Sequence, residues 1–205
     1  MNNPVRFTDP TGLWSKDIHA SLTRTAMSRI STGRDNAVMF GNHVEFIVTG
    51  NLAVDGPNYA AFNNWYSRSA QGRHFNRAFL GGRDSRLVWA DYYMDRAVSN
   101  WRLADNLFSG GLICFHERNA MREAALTLLG RGLHSIQDIE AHGNIGMGNR
   151  ITAFHLWGAD NPDYDWLNML RGNTIPSTER VRYNTSINDS EAFLLDFYRQ
   201  IGWID

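Results

Sequence analysis

The sequence lacks most of the features that mark membrane proteins and disulfide-rich proteins. It has one cysteine in 205 residues, so an intramolecular disulfide and a cysteine-rich zinc site are both excluded. No segment approaches 18 uninterrupted apolar residues, so we expect no transmembrane helix. The N-terminus has no basic stretch followed by an apolar run, so we expect no signal peptide. The formal net charge of -1 gives no broad attraction for nucleic acid. Because a single cysteine cannot form a cysteine-rich site, any metal site must use His, Asp, Glu or backbone ligands.

Helical patterns dominate what is present. Hydrophobic residues make up 43% of the chain, enough for the core of one globular domain. Apolar residues at helical spacing predict helices from Trp14 to a stop at Gly33 and over 36–49, 86–108, 117–142 and about 188–201. The segments 50–83 and 148–185 are expected to be mostly irregular, and no run predicts a strand. The expected fold class is all-α, as one compact domain with long loops.

Local signals refine these helices. Asp84 and Ser85 predict a helix cap, while Gly41 weakens the second helix. Two glycines inside the strongest helix, Gly130 and Gly132, cost about 1 kcal/mol each relative to Ala, so their presence predicts close packing against a neighbour. Cys114 lies in an apolar run and is expected in the core.

The strongest chemical signal is the series His134, Asp138 and His142. Residues four apart share one face of a helix, so three potential ligands follow one another over two turns. One His–Asp pair at this spacing is more often part of an ordinary polar face. The third ligand and the apolar surroundings favour a zinc site instead.

Other histidines are dispersed along the chain. His155 follows His142 by 13 positions, and His74 closes the loop that contains Asp55. Each alone is more often an ordinary histidine than a ligand, but together they suggest a cluster gathered from distant segments.

The stretch 128–142, LLGRGLHSIQDIEAH, resembles the central motif of the zinc-dependent phospholipase C superfamily. That superfamily includes clostridial alpha-toxin-like enzymes and the single-strand-specific fungal zinc nucleases. The resemblance implies an all-helical domain that holds up to three zinc ions. It extends over most of the chain from Trp14 to about residue 160, although the spacing within the motif is shorter than usual.

Carried over residue by residue, the resemblance implies a set of metal ligands. Eight positions match in order: Trp14, His19, Asp55, His74, His134, Asp138, His142 and His155. Position 159 is Ala where the family has a carboxylate, so the ninth ligand would be Asp160 or, failing that, Asp163. The first zinc would be held by Asp55, His74, His134 and Asp138; the second by His142, His155 and Asp160; the third by Trp14, His19 and a bridging Asp138. The ions would activate a water for attack on a phosphoryl group, with Asp55 as the candidate catalytic base.

Residues 1–13 carry a second resemblance. The segment NNPVRFTDPTGL, residues 2–13, is similar to the end of the core domain of Rhs/YD-repeat proteins, the shells of bacterial polymorphic toxins. This similarity divides the chain into a remnant of the Rhs core, 1–13, and a toxin domain, 14–205. In such proteins self-cleavage follows this motif, here between Leu13 and Trp14. It would give Trp14 a free amine, a better metal ligand than an amide nitrogen, and so complete the third zinc site.

Two substrates remain open from the sequence. A phospholipase C-type toxin would act on membrane phospholipid, and aromatic residues such as Trp65, Tyr66 and Trp157 would suit an interfacial substrate. A nuclease on the same scaffold is favoured by the five-residue step from Trp14 to His19. A third reading is a structural or degenerate metal cluster in a binding domain. The expected partners are the phospholipid surface, a cognate immunity protein and the parent Rhs shell, with nucleic acid only under the nuclease reading. The chain would be secreted or delivered into a target cell as part of the larger protein.

Overall fold

The computed structural model describes residues 16–32, 37–56, 68–74, 83–142 and 177–205. Within them it forms helices and no strand, which confirms the all-α class. The helices are α1 (Lys16–Ser31), α2 (Ala37–Ala53), α3 (Arg68–His74), α4 (Ser85–Ser109), α5 (Phe115–His142) and α6 (Ser177–Gln200). Among these described residues, no helix combines the length and apolar character needed to cross a membrane.

Helix α5 is the centre of the bundle. It packs against each of the other five helices. Its apolar stripe is buried as expected, with Ala125, Leu129 and Leu133 fully inaccessible to solvent. Trp101 of α4 and Phe197 of α6 belong to the same core cluster. The buried side chains of its C-terminal half therefore lie among residues from other helices.

The ends of α4 and α5 follow ordinary capping chemistry. The Asp84 side chain accepts a hydrogen bond from the Arg86 backbone N–H, so the predicted cap is confirmed. Gly111, at φ 69°, helps to end α4. Cys114 is exposed, and the prediction that it lies in the core is wrong. Its backbone N–H donates to the Glu117 carboxylate at 2.8 Å, so it occupies the capping position of α5 at the surface.

Two helix boundaries differ from the sequence-based expectation. Helix α2 continues through Gly50 to Ala53, and α6 begins at Ser177, 11 residues before Asn188. Asn, Ser and Thr lower helix propensity and obscure the apolar period in the first half of α6. Ser186 and Ser190 are nevertheless fully buried. Burial against other helices therefore includes small polar residues of α6, which apolar periodicity does not reveal.

Close packing explains the glycines in α2 and α5. A Cβ at Gly130 would overlap the carbonyl oxygen of Ile47, and a Cβ at Gly50 would overlap that of Thr127. A Cβ at Gly132 would lie 2.9 Å from the Phe193 ring. The predicted close packing at both α5 glycines is thus confirmed, and two of these contacts bring the α2 and α5 backbones together. Around Gly41, by contrast, nothing lies within 4 Å.

His43 lies at some distance from the residues expected to bind metal. It precedes Asp55 by twelve residues, about 18 Å along a helix. Its Nδ1 lies 3.1 Å from the Tyr198 hydroxyl, and its ring contacts Trp101 and Trp203. Burial, with a smaller contribution from the Arg122 charge, lowers the pKa of His43 to about 4. The fold therefore favours the neutral imidazole.

We predict that Gly130→Ala destabilises the protein by about 3 kcal/mol or more, because the new methyl group must push backbones apart. Gly41→Ala is the matched control, since the methyl group meets open space and the higher helix propensity of Ala should stabilise by up to about 1 kcal/mol. Urea unfolding of both variants measures the difference. Equal stabilities of the two variants would contradict the close contact between α2 and α5.

We also predict a pH dependence from His43. Since its folded pKa lies below the value of 6.5 of an exposed histidine, its stabilising contribution is present above pH 6.5 and is lost as pH falls toward 4. The loss should amount to about 2 kcal/mol between about pH 7 and about pH 4.5. His43→Gln keeps a polar side chain without a titratable group. Unfolding free energies at both pH values, measured with chelator present, should show a smaller acid loss in the variant than in the wild type.

Candidate metal centre

Five of the predicted ligands lie together at one end of the bundle. They come from four elements: α1, the turn after α2, the end of α3, and two successive turns of α5. The residues are His19, Asp55, His74, His134 and Asp138. Four of their side chains are fully buried, and that of Asp55 is 8% exposed. The helical pair His134 and Asp138 thus meets residues that are 60 or more positions away in sequence.

Three ligand atoms lie close enough to one another to share one metal ion, and an oxygen of Asp55 lies near two of them. The Nε2 of His134 lies 3.1 Å from the Nδ1 of His74, 3.1 Å from the Oδ2 of Asp138 and 3.5 Å from the Oδ1 of Asp55. The Nδ1 of His74 lies 2.8 Å from the same Asp138 oxygen and 4.0 Å from the same Asp55 oxygen. Zinc ligands at about 2.0–2.1 Å from the ion stand about 3.3–3.4 Å from one another in a tetrahedron. These are the four residues that the resemblance implies for the first zinc.

The second oxygen of Asp138 faces a different ligand. Its Oδ1 lies 3.3 Å from the Nε2 of His19. The His19 ring also stacks on the His134 ring, with centroids 4.3 Å apart. One carboxylate therefore faces His74 and His134 with one oxygen and His19 with the other. This is the geometry that a carboxylate bridging two metal ions requires.

The protonation of the cluster follows from burial and charge. Burial alone would raise the pKa of Asp138, but the neighbouring imidazoles, His134 first, hold it well below its usual range. Burial lowers the pKa of His19, yet the contacts with Asp138 and Asp55 outweigh it and raise the pKa to about 9. The pKa of His74 is raised for the same reasons. At His134 burial prevails and lowers the pKa. Without metal the cluster keeps protons beside its carboxylates, and an entering cation would displace them.

Asp55 provides a separate indication of a ligand. Both of its carboxylate oxygens are inaccessible, and neither accepts a hydrogen bond within the part of the chain that the structure describes. A buried carboxylate without hydrogen bonds is costly, so such a group calls for an explanation. A divalent cation would compensate for this charge. The donor set of three imidazoles and two carboxylates suits zinc.

Polar side chains that the sequence analysis did not select support the ligands. The Nδ1 of His134 lies 3.1 Å from the Oδ1 of Asn51, and the Nδ1 of His19 lies 2.8 Å from the Oε1 of Gln137. Thr23, whose hydroxyl accepts from the Asn51 and Gln137 amides, follows His19 by four residues on α1, and Gln137 follows His134 by three on α5. That spacing was a signal present in the sequence.

Arg86 is a further residue that the sequence patterns did not indicate. Its side chain is fully buried, and it donates a hydrogen bond to the backbone carbonyl of Asp138 at 2.8 Å and a longer one to that of Ile139 at 3.5 Å. An ion pair with Asp84 at 2.6 Å holds the guanidinium in place. The backbone of α5 is thereby fixed at the residue that carries the central carboxylate.

The remaining predicted positions lie outside the described residues. They are Leu13 and Trp14 at the expected cleavage site, His155, Asp160 and its alternative Asp163. His142 ends α5, but its side chain is likewise outside the description. The aromatic residues proposed for an interfacial substrate, among them Trp65 and Trp157, also fall there. These positions stay predictions.

We predict that the chain binds zinc and that Asp55→Asn weakens this binding by more than about 100-fold, beyond the 10–100-fold typical of an outer hydrogen-bond partner. Zinc should raise the Tm of the wild type, because it binds only the folded state. Asp95→Asn is the control, since Asp95 is exposed on α4. Competition with a chelator and thermal unfolding measure both effects. A wild-type Tm that does not respond to zinc would contradict the site.

Comparison with protein-family models, characterised proteins and solved structures finds no match to this chain. The buried His and Asp groups could hold a metal ion.

Proposed function

We propose that this chain is a zinc-dependent phosphoric diester hydrolase of the phospholipase C type. Its substrate would be a membrane phospholipid, and its site would hold more than one zinc ion. The observation that carries the proposal is the buried group of His74, His134 and Asp138, with an oxygen of Asp55 3.5 Å from the Nε2 of His134. The resemblance of 128–142 to the central motif of the superfamily supplies the reaction class.

Each residue of the set has a role in this proposal. A bound zinc ion supplies Lewis acidity toward a phosphoryl oxygen and toward a water molecule. The imidazoles and Asp138 hold it, and Asp138 also faces His19 with its second oxygen. Asp55 lies in the turn after α2, and the side chain is slightly exposed. If its Oδ1 binds the metal, its Oδ2 is left to accept a proton from the attacking water.

The setting of the site supports hydrolysis of a charged ester. The four fully buried ligand side chains stand in a region from which water is largely excluded, where electrostatic interactions with a phosphoryl group are stronger. Four of the five candidate ligands lie on helices, which hold them more rigidly than loops do, and Asp55 lies in the turn after α2. A second metal ion on the His19 side would clamp the same substrate from another direction.

The proposal includes a route of delivery. The segment 1–13 would be the remnant of an Rhs core and 14–205 the toxin domain, released after Leu13 and countered by an immunity protein. Secretion or transfer into a target cell would then depend on the larger protein. Release would give Trp14 the free amine that completes the zinc group of His19.

A nuclease on the same metal scaffold is the second candidate. The short step from Trp14 to His19 favours it, and the same metal chemistry cleaves nucleic acid phosphodiesters. A binding domain with a structural metal site is the third reading, and it predicts zinc without turnover.

Activity measurements separate the three readings. The zinc-loaded protein, as the full chain and as the form that begins at Trp14, is given phosphatidylcholine vesicles or single-stranded DNA and RNA. We expect release of phosphocholine, faster in the processed form, and at least a 100-fold loss in Asp138→Asn, because a catalytic metal ligand is removed. Degradation of nucleic acid alone would establish the nuclease, and zinc binding without either activity would establish the structural site.

A further inference from the structure

Behind the proposed metal ligands lies a closed hydrogen-bond network whose directions can be assigned atom by atom. Its members are Thr23 of α1, Asn51 of α2, and Gln137 of α5, with Ser190 of α6 at its edge. All four side chains are fully buried. Since each polar atom in it has a limited number of donors and acceptors, one fixed bond determines the others.

The bond whose direction is fixed is the one that Thr23 donates. Its hydroxyl donates to the backbone carbonyl of His19 at 2.9 Å, and a carbonyl oxygen can only accept. The single hydroxyl proton is thereby used. The Thr23 oxygen can therefore only accept from its other two neighbours, the amide nitrogens of Asn51 and Gln137, each at 3.2 Å. Both amides must point their NH2 groups toward Thr23.

The orientation of the amides then decides the state of two imidazoles. With its nitrogen toward Thr23, Asn51 presents its oxygen to the Nδ1 of His134 at 3.1 Å. In the same way Gln137 presents its oxygen to the Nδ1 of His19 at 2.8 Å and accepts there also from Asn51 at 3.0 Å. An acceptor that faces Nδ1 requires a proton on Nδ1. The Nε2 atom of each ring is left to face the carboxylates.

We propose that Thr23 is the positioning residue of the metal centre: through Asn51 and Gln137 it fixes the Nδ1–H form of both His19 and His134. This inference rests on the proposed metal site and adds the residue that sets the tautomers of two of its imidazoles. Metal-binding imidazoles need a lone pair on the ligating nitrogen and a hydrogen bond on the other one. A single hydroxyl fulfils this requirement for two rings, one in each group of ligands around Asp138.

Ser190 connects the hydrogen-bond network to α6. Its hydroxyl oxygen accepts a hydrogen bond from the Gln137 amide nitrogen at 3.2 Å and is the second acceptor of that NH2 group, after Thr23. This bond reinforces the same orientation of the Gln137 amide. It also accounts for a small polar residue buried in α6 where an apolar side chain would otherwise pack.

The test removes the hydroxyl without changing the shape. In Thr23→Val both amides lose the acceptor that orients them, so they can rotate and present NH2 to the imidazoles. We expect zinc affinity to fall 10–100-fold, as for the loss of an outer hydrogen-bond partner. Thr23→Ser keeps the hydroxyl and should bind within about 3-fold of the wild type. The rescue by Ser distinguishes orientation from packing, since Val fills the site better than Ser does.

A matched control lies on α5. The hydroxyl of Thr127 donates to the carbonyl four residues earlier, that of Glu123, at 3.0 Å, the same local bond as that of Thr23. Thr127→Val should leave zinc affinity unchanged. Nitrogen NMR of the imidazoles gives an independent readout: slowly exchanging Nδ1–H signals of His19 and His134 in the wild type and in Thr23→Ser, and their loss in Thr23→Val.

The outcomes are separable from those of the proposed function. Unchanged zinc affinity in Thr23→Val, or Thr23→Ser as weak as Thr23→Val, would overturn the positioning role. If the wild type bound no zinc, the proposed metal centre would be overturned. The Nδ1–H signal of His134 in the metal-free protein would still test the role of Thr23. The expected order of affinities without any hydrolysis would overturn the hydrolase alone. Should Thr23→Val fail to fold, Thr23→Cys takes its place with the same expected direction, because a thiol is a weak acceptor.

Discussion

Removing a carboxylate from water costs several kcal/mol unless opposite charge and hydrogen bonds replace the lost hydration. Asp138 is fully buried, and its two oxygens meet imidazoles from three helices. His74 and His134 face one oxygen, and His19 faces the other. The requirement to compensate this one charge therefore links α1, α3 and α5. The same compensation makes the cluster suited to a cation, since two buried carboxylates stand among these rings.

The compensation is possible only because the helices approach closely. At Gly50 and Gly130 the backbones of α2 and α5 come near enough that no side chain fits between them. This contact brings Asn51 and Asp55, one and five residues beyond Gly50, alongside the ligands of α5. Arg86 fixes the other side of α5 by donating to the carbonyl of Asp138. Backbone contacts thus determine the positions from which the side chains reach one another.

The positions of the candidate ligand atoms and the protonation of their rings depend on different contacts. The candidate ligand atoms of His74, His134 and Asp138 lie 2.8–3.1 Å from one another because they project from helices α3 and α5. Their chemical state depends on the network behind them, in which the direction of the Thr23 hydroxyl bond determines both amides and both tautomers. A hydrolytic metal centre needs both properties, since the spacing selects the ion and the tautomer supplies the lone pair. The proposed activity and the proposed role of Thr23 thus depend on different atoms of one arrangement.

The sequence by itself determined the local features. Helical periodicity identified α1, α4 and α5, and the spacing of His134 and Asp138 placed both on one face, because such patterns depend on neighbours within a few residues. It failed for the start of α6, where polar residues are buried by contacts with other helices, and for Cys114, an apolar-looking residue that caps a helix at the surface. The family resemblance predicted His19, Asp55 and His74 as ligands, but their spacing in the sequence could not show that they lie close together. Only the tertiary structure decided which distant side chains meet, and it added Thr23, Asn51, Gln137 and Arg86. Hydrogen-bond direction and charge compensation act between atoms close in space, and separation along the chain carries no information about them.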